Sequence, residues 1–73
     1  MAAKPKHRRL LGERIRSFRK GKGLSQEVLA ERADLHHNYV GELERGEKAA
    51  TIDTLLKIAN ALGVRVRALV NDL

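Results

Sequence analysis

Between Leu24 and Gly46 the chain reads LSQEVLAERADLHHNYVGELERG, and most of its side chains suited to polar recognition lie there. His37, Asn38 and Glu42 are of the types that read nucleic-acid base edges. Asn pairs with adenine N6 and N7, a neutral imidazole donates or accepts one bond, and a carboxylate accepts from cytosine N4. Gln26 follows Ser25 at a helix start, where backbone N–H groups and the helix dipole favour a phosphate. No nucleophile, metal-ligand set or phosphate-cradling loop accompanies them, which argues against an enzyme. A metal reading of His36-His37 fails on geometry: adjacent helical residues point about 100° apart, and no cysteine or well-spaced third histidine joins them. No metal or other cofactor is therefore expected.

Such side chains need elements to aim them. Ser25 predicts an N-cap, and Val28, Leu29, Ala30 and Ala33 give the helix that follows one apolar side. Asp34-Leu35-His36 interrupts the pattern, with Leu35 as an apolar plug, Asp34 tolerating a left-handed backbone and His36 capping the next helix. That helix, about His37 to Arg45, buries Val40 and Leu43 and stops at Gly46. Two short helices joined by so tight a turn form a helix-turn-helix, whose second helix can enter the DNA major groove.

Around this pair the pattern predicts three more helices. One spans about Arg8 to Lys22, with Leu11, Ile15 and Phe18 on one stripe and Gly21 and Gly23 ending it. Thr51 caps another, about Ile52 to Leu62, with Ile52, Leu55, Leu56, Ala59 and Leu62 as its apolar face and Gly63 as its stop. A short helix, Val66 to Val70, closes the domain. No strand pattern competes. Residues 1–7 read as a basic flexible arm and 8–73 as a single all-α domain of five helices.

Charge is distributed unevenly. Residues 1–24 hold nine bases against one acid, a surplus of eight, whereas residues 25–73 hold six bases and eight acids, a deficit of two. A basic block of this kind points to a polyanion partner. A membrane surface is a poor candidate, because the apolar residues of the first helix (Leu10, Leu11, Ile15, Phe18) are needed for the core. No run approaches the ~20 apolar residues of a membrane span and no signal-peptide core is visible, so a soluble, cytoplasmic chain is expected. At 73 residues without cysteine, extra buried surface is most readily gained by dimerisation. Val66 and Val70, with Leu73 beyond, offer a face for a homodimer, or else complete the core.

The ordered motifs bear a family resemblance. Leu11-Gly12-Glu13-Arg14-Ile15-Arg16, Lys22-Gly23-Leu24-Ser25-Gln26-Glu27, Leu29-Ala30, Tyr39-Val40, Leu43-Glu44-Arg45-Gly46, Thr54-Leu55-Leu56-Lys57-Ile58-Ala59 and Ala61-Leu62-Gly63-Val64 together resemble the Cro/repressor-type (XRE family) helix-turn-helix domains, over about residues 10–70. Within that family the chain is most similar to restriction–modification controller proteins, sharing Asn38-Tyr39-Val40-Gly41 and Glu44-Arg45-Gly46. It departs from the common pattern at Asp34, Gly41, Glu42, Ala49-Ala50 and Arg65.

The resemblance implies a lambda-repressor-like fold and a transcriptional regulator that binds double-stranded DNA. It implies a two-fold dimer with recognition helices roughly 34 Å apart on a pseudo-palindromic operator. Gln26 would anchor the DNA backbone. His36, His37, Asn38, Tyr39, Glu42 and Arg45 would face DNA from the recognition helix and its cap. Read from the residues themselves, Lys48 in the next loop is a candidate phosphate contact, and Lys4, Lys6, Arg8 and Arg9 could follow the backbone or enter a groove. Glu44 sits where the helix dipole disfavours an acid; Arg19 is its implied partner and a further phosphate contact. Glu42 is open to three readings: base acceptor, acid neutralised by a local base, or discriminator against wrong sequences. Gly41 would let the helix backbone approach the groove more closely. No small-molecule ligand or membrane is expected. The rival reading is an antitoxin, or another module that binds a partner protein through the same domain.

Overall fold

The computed structural model describes residues 3–73, so Met1 and Ala2 of the expected arm lie outside the described residues. Five helices follow one another without a strand among those residues: α1 Lys6–Gly21, α2 Gln26–Ala33, α3 His37–Glu44, α4 Ile52–Leu62 and α5 Val66–Val70. α2 and α3 pack on each other, α1 lies across α3, and α4 supports α2, with α5 closing the far side.

Local chemistry sets most of the boundaries. Ser25 Oγ accepts the Val28 N–H, and Thr51 Oγ1 accepts that of Thr54. Asp34 takes the left-handed conformation, φ 55°, that lets the chain leave α2 within one residue. His36 caps α3 through Nδ1, which accepts the Asn38 N–H at 3.1 Å. α1 differs from expectation. It begins at Lys6 rather than Arg8, because Pro5 supplies the fixed φ (−56°) of a helix entry and its carbonyl accepts from Arg8 and Arg9. Lys6, Arg8 and Arg9 are therefore helical, and of the expected arm's bases only Lys4 precedes the helix.

Among the described residues twelve apolar side chains form the core, centred on Ile15, Leu29, Val40, Leu43, Ile58, Leu62 and Leu69. Phe18, Leu35, Tyr39, Val66 and Val70 pack against it half-buried. The apolar face of α4 is rotated from its predicted position. Ile58 is fully buried and joins Leu55, Ala59 and Leu62, whereas Ile52 is 70% exposed and Leu56 also faces outward. Val28 of α2 is likewise exposed. Seven apolar positions on an eleven-residue helix give a stripe wider than its neighbours can cover, and the i, i+3, i+4, i+7 subset beginning at Leu55 is the one buried.

One close approach fixes how α1 meets α3. A Cβ on Gly12 would overlap the Leu43 carbonyl oxygen and stand 2.5 Å from that of Glu44. Glycine alone lets α1 pass directly over the last turn of α3. At the C-terminal end of α5, Arg14 Nη1 donates to the carbonyls of Leu69 and Asn71, placing a cation where the helix dipole is negative.

Candidate nucleic-acid interface

Where α1, α2 and α3 meet, three polar side chains lock together. Arg19 Nε donates to Glu44 Oε2 at 2.6 Å and Nη2 to Oε1 at 3.0 Å, while Nη1 donates to the Leu24 carbonyl at 2.7 Å. Gln26 Nε2 donates to the same Oε1 of Glu44 at 3.0 Å. The Glu44 carboxylate, disfavoured at a helix C-terminus, is thus compensated by a guanidinium and an amide. Burial of such a pair is tolerated because its polar atoms are bonded. Arg19 stands inside this network rather than at the surface, and the network holds Gln26 at the start of α2.

Outside it, Gln26, His37, Asn38, Gly41, Glu42 and Arg45 line a depression of about 270 Å³. Five of these are sequence-predicted DNA-facing residues, brought from two helices to one surface. His36 is occupied as the α3 cap, and its ring stacks on His37 with centroids 4.6 Å apart. Tyr39 packs on the core, and its hydroxyl donates to the Ala49 carbonyl at 3.3 Å, tying α3 to the loop before α4. Lys48 is exposed in that loop. Gly41 does not leave an open slot for an approaching groove: an added Cβ would meet Arg45 Nη1 at 3.0 Å and Gln26 Oε1 at 3.4 Å.

The bases of the N-terminal segment are more firmly placed than an arm would allow. Lys4 Nζ donates to the Arg45 carbonyl at 2.8 Å and stands 3.8 Å from Glu47 Oε2. Arg9 lies against Gly46, whose φ of 73° would be strained with a side chain and whose Cβ would press on the Arg9 backbone. Arg8 is half-buried, its Nε without a partner among the described residues.

Glu47 was not anticipated from the sequence. It receives Arg45 Nε at 2.8 Å and Nη2 at 3.3 Å. Those bonds from Arg45 hold the Glu47 carboxyl below its ordinary range, and the same contact raises the Arg45 guanidinium. The alternating Glu44-Arg45-Gly46-Glu47 charges were the one available signal, and they do not say which arginine meets which acid.

A helix-turn-helix family profile (HTH_3) matches residues 15–69. The sequence is similar to the control protein C.SmaI of Serratia marcescens, 46% identical over 57 residues that span 78% of this chain and 68% of that protein. The fold is similar to that of the restriction-modification controller protein C.AhdI from Aeromonas hydrophila, with TM-score 0.84 and 42% identity over 85% of this chain and 94% of that one. It is also similar to the biofilm regulator SinR in a crystal complex with DNA, with TM-score 0.81 and 35% identity over 84% and 98% of the two chains.

Proposed function

The chain belongs to the helix-turn-helix family, and from that premise we propose that it is a transcriptional regulator that binds double-stranded DNA at a specific, pseudo-palindromic site as a homodimer. The observation that carries this reading is the single surface on which Gln26, His37, Asn38, Glu42 and Arg45 converge. His37 and Asn38 start α3, the helix that enters the major groove, and supply the base-edge bonds. Gln26 starts α2, where a phosphate is favoured, and Arg19 and Glu44 act by fixing its amide. Arg45, Lys48, Lys6, Arg8 and Arg9 add phosphate attraction, with Lys4 joined to the end of α3. The SinR neighbour was crystallised on DNA, and controller proteins stand among the similar chains.

Dimerisation uses α5 and the segment after it. Leu73 is exposed, and Val66 and Val70 keep part of their surface outside the core. No described helix is long and apolar enough to cross a membrane, and the regulator works on DNA in the cytoplasm by occupying its site, without a small-molecule effector.

Selection from a random duplex library at near-physiological salt tests the reading. Enrichment of a two-fold symmetric motif is expected, with affinity falling steeply as salt rises. Binding that is blind to sequence would replace it with the partner-protein reading. Val66→Asp is expected to sediment as a monomer; a persistent dimer would move the interface elsewhere.

A further inference from the structure

Arg45 leans back along α3, so that its guanidinium lies over Gly41, one turn earlier. Its contact with Glu47 engages Nε and Nη2. Nη1 is the remaining nitrogen, and it is the one that stands over Gly41, beside Gln26 Oε1. Arg45 also lines a second depression with Arg16, Arg19, Gln26 and Glu44. With Gln26, which lines both, it divides that basic hollow from the one holding His37 and Asn38, on whose side Nη1 stands. The chemistry on the basic side, next to the N-terminus of α2, suits a phosphate oxygen rather than a base edge.

We propose that Glu47 is a positioning residue for DNA binding: its bidentate bond turns the Arg45 guanidinium so that Nη1 meets a backbone phosphate, and Gly41 is the space that makes this pose available. The inference rests on the DNA-binding reading above and adds a claim about sign. An acid near a phosphate should weaken binding by repulsion, so its removal would ordinarily tighten the complex. A latch that keeps Arg45 from DNA would give the same sign. A positioning acid gives the opposite. Lys4 Nζ stands 3.8 Å from the same carboxylate oxygen that receives Arg45 Nε.

A double-mutant cycle decides between these signs. Phosphate contact does not depend on sequence, so the probe is a short mixed-sequence duplex, followed across a salt series by fluorescence anisotropy. Glu47→Gln is expected to weaken binding about threefold, the scale of one exposed bidentate pair. Arg45→Ala is expected to weaken it about tenfold and to lower the salt slope by about one. In the Arg45→Ala background, Glu47→Gln should cost nothing or tighten binding slightly. Gly41→Ala is a second, independent test. The added methyl meets only the far end of a flexible side chain, so thermal stability should hold or rise with the better helix former, while affinity falls as Arg45 is displaced. Tighter or unchanged binding by Glu47→Gln in the intact background overturns the proposal, as does a loss that survives Arg45→Ala or an unchanged affinity in Gly41→Ala. Failure of the unaltered protein to bind any duplex is a separate result that removes the DNA reading itself.

Discussion

Two arginine–glutamate pairs begin from adjacent residues at the end of α3 and have opposite surroundings. Glu44 turns inward to Arg19, with side chains 3% and 10% exposed. Arg45 turns outward to Glu47, with side chains 56% and 39% exposed. Both are bidentate and of similar length. The inner pair is largely shielded from solvent and depends mainly on its partners; the outer pair can exchange each bond for one to solvent or to a phosphate. Burial therefore turns one chemistry into scaffold and leaves the other available for recognition. Gln26 stands between them, its amide nitrogen bonded to Glu44 and its oxygen beside Arg45, so the rigid pair sets the position from which the exposed pair works.

The largest break in this comparison should come from the inner pair. Glu44→Ala leaves the Arg19 guanidinium buried without its carboxylate, a loss of about 3–5 kcal/mol. Denaturant unfolding should show a fall in midpoint of that scale, and DNA binding should fail with the fold. Replacing both partners together, Arg19→Met with Glu44→Leu, should recover much of the stability. It should not restore binding, because the Gln26 amide has then lost the oxygen that fixes it. Recovery of both would mean that Gln26 is held by something other than Glu44.

Gly12→Ala is expected to be the next largest. Overpacking costs typically 1–3 kcal/mol, and here the added carbon meets backbone carbonyls at the end of α3, which cannot rotate away. The displaced turn is the one that carries Glu44 and Arg45, so unfolding midpoint and DNA affinity should fall together. A loss of stability at full affinity would separate the α1–α3 approach from the placement of both pairs.

The extent to which these features were legible follows from their range in sequence. Caps and stops act over a few residues: Ser25, His36 and Thr51 each accept an N–H two or three positions ahead, and Asp34 and Gly63 leave their helices through a left-handed backbone. α2, α3 and α4 accordingly start where their caps put them, and α5 starts at Val66 as its apolar pattern predicts, without a side-chain cap. The Arg19–Glu44 pair spans 25 positions, and the helix dipole showed only that Glu44 needed a partner; Arg19 came from the family resemblance. Gly12 was one letter in a motif, since its reason lies on another helix. The outward turn of Ile52 and Leu56 depended on how much surface the neighbouring helices could cover, which periodicity within α4 does not contain.

His36→Ala should have a smaller effect than either core change, about 1 kcal/mol for a lost cap, and it sharpens the comparison because it acts at the opposite end of α3. The Asn38 N–H loses its acceptor, and the turn carrying His37 and Asn38 frays while both ion pairs at the other end persist. Amide exchange should speed up at Asn38 and not at Arg45. The variant should lose sequence discrimination more than salt-dependent affinity. Equal loss of both would show that the two ends of α3 work as one unit.

The smallest stability change should belong to the outer pair, and pH gives its signature. Arg45 holds the Glu47 carboxyl below the ordinary carboxylate range, so the folded state binds that proton less readily than the unfolded chain does. The stabilisation is present above the unfolded-state pKa and disappears as pH falls through the folded value. Glu47→Gln should lower the thermal midpoint slightly near neutrality, and the two proteins should converge only in acid, once the folded-state carboxyl is itself protonated. A gap that persists there would mean that Glu47 contributes through shape or a neutral hydrogen bond, and that charge does not orient Arg45. Convergence would leave an exposed pair of small stability value, so that any larger effect of Glu47→Gln on DNA affinity must arise from how Arg45 is aimed and not from how well the domain is folded.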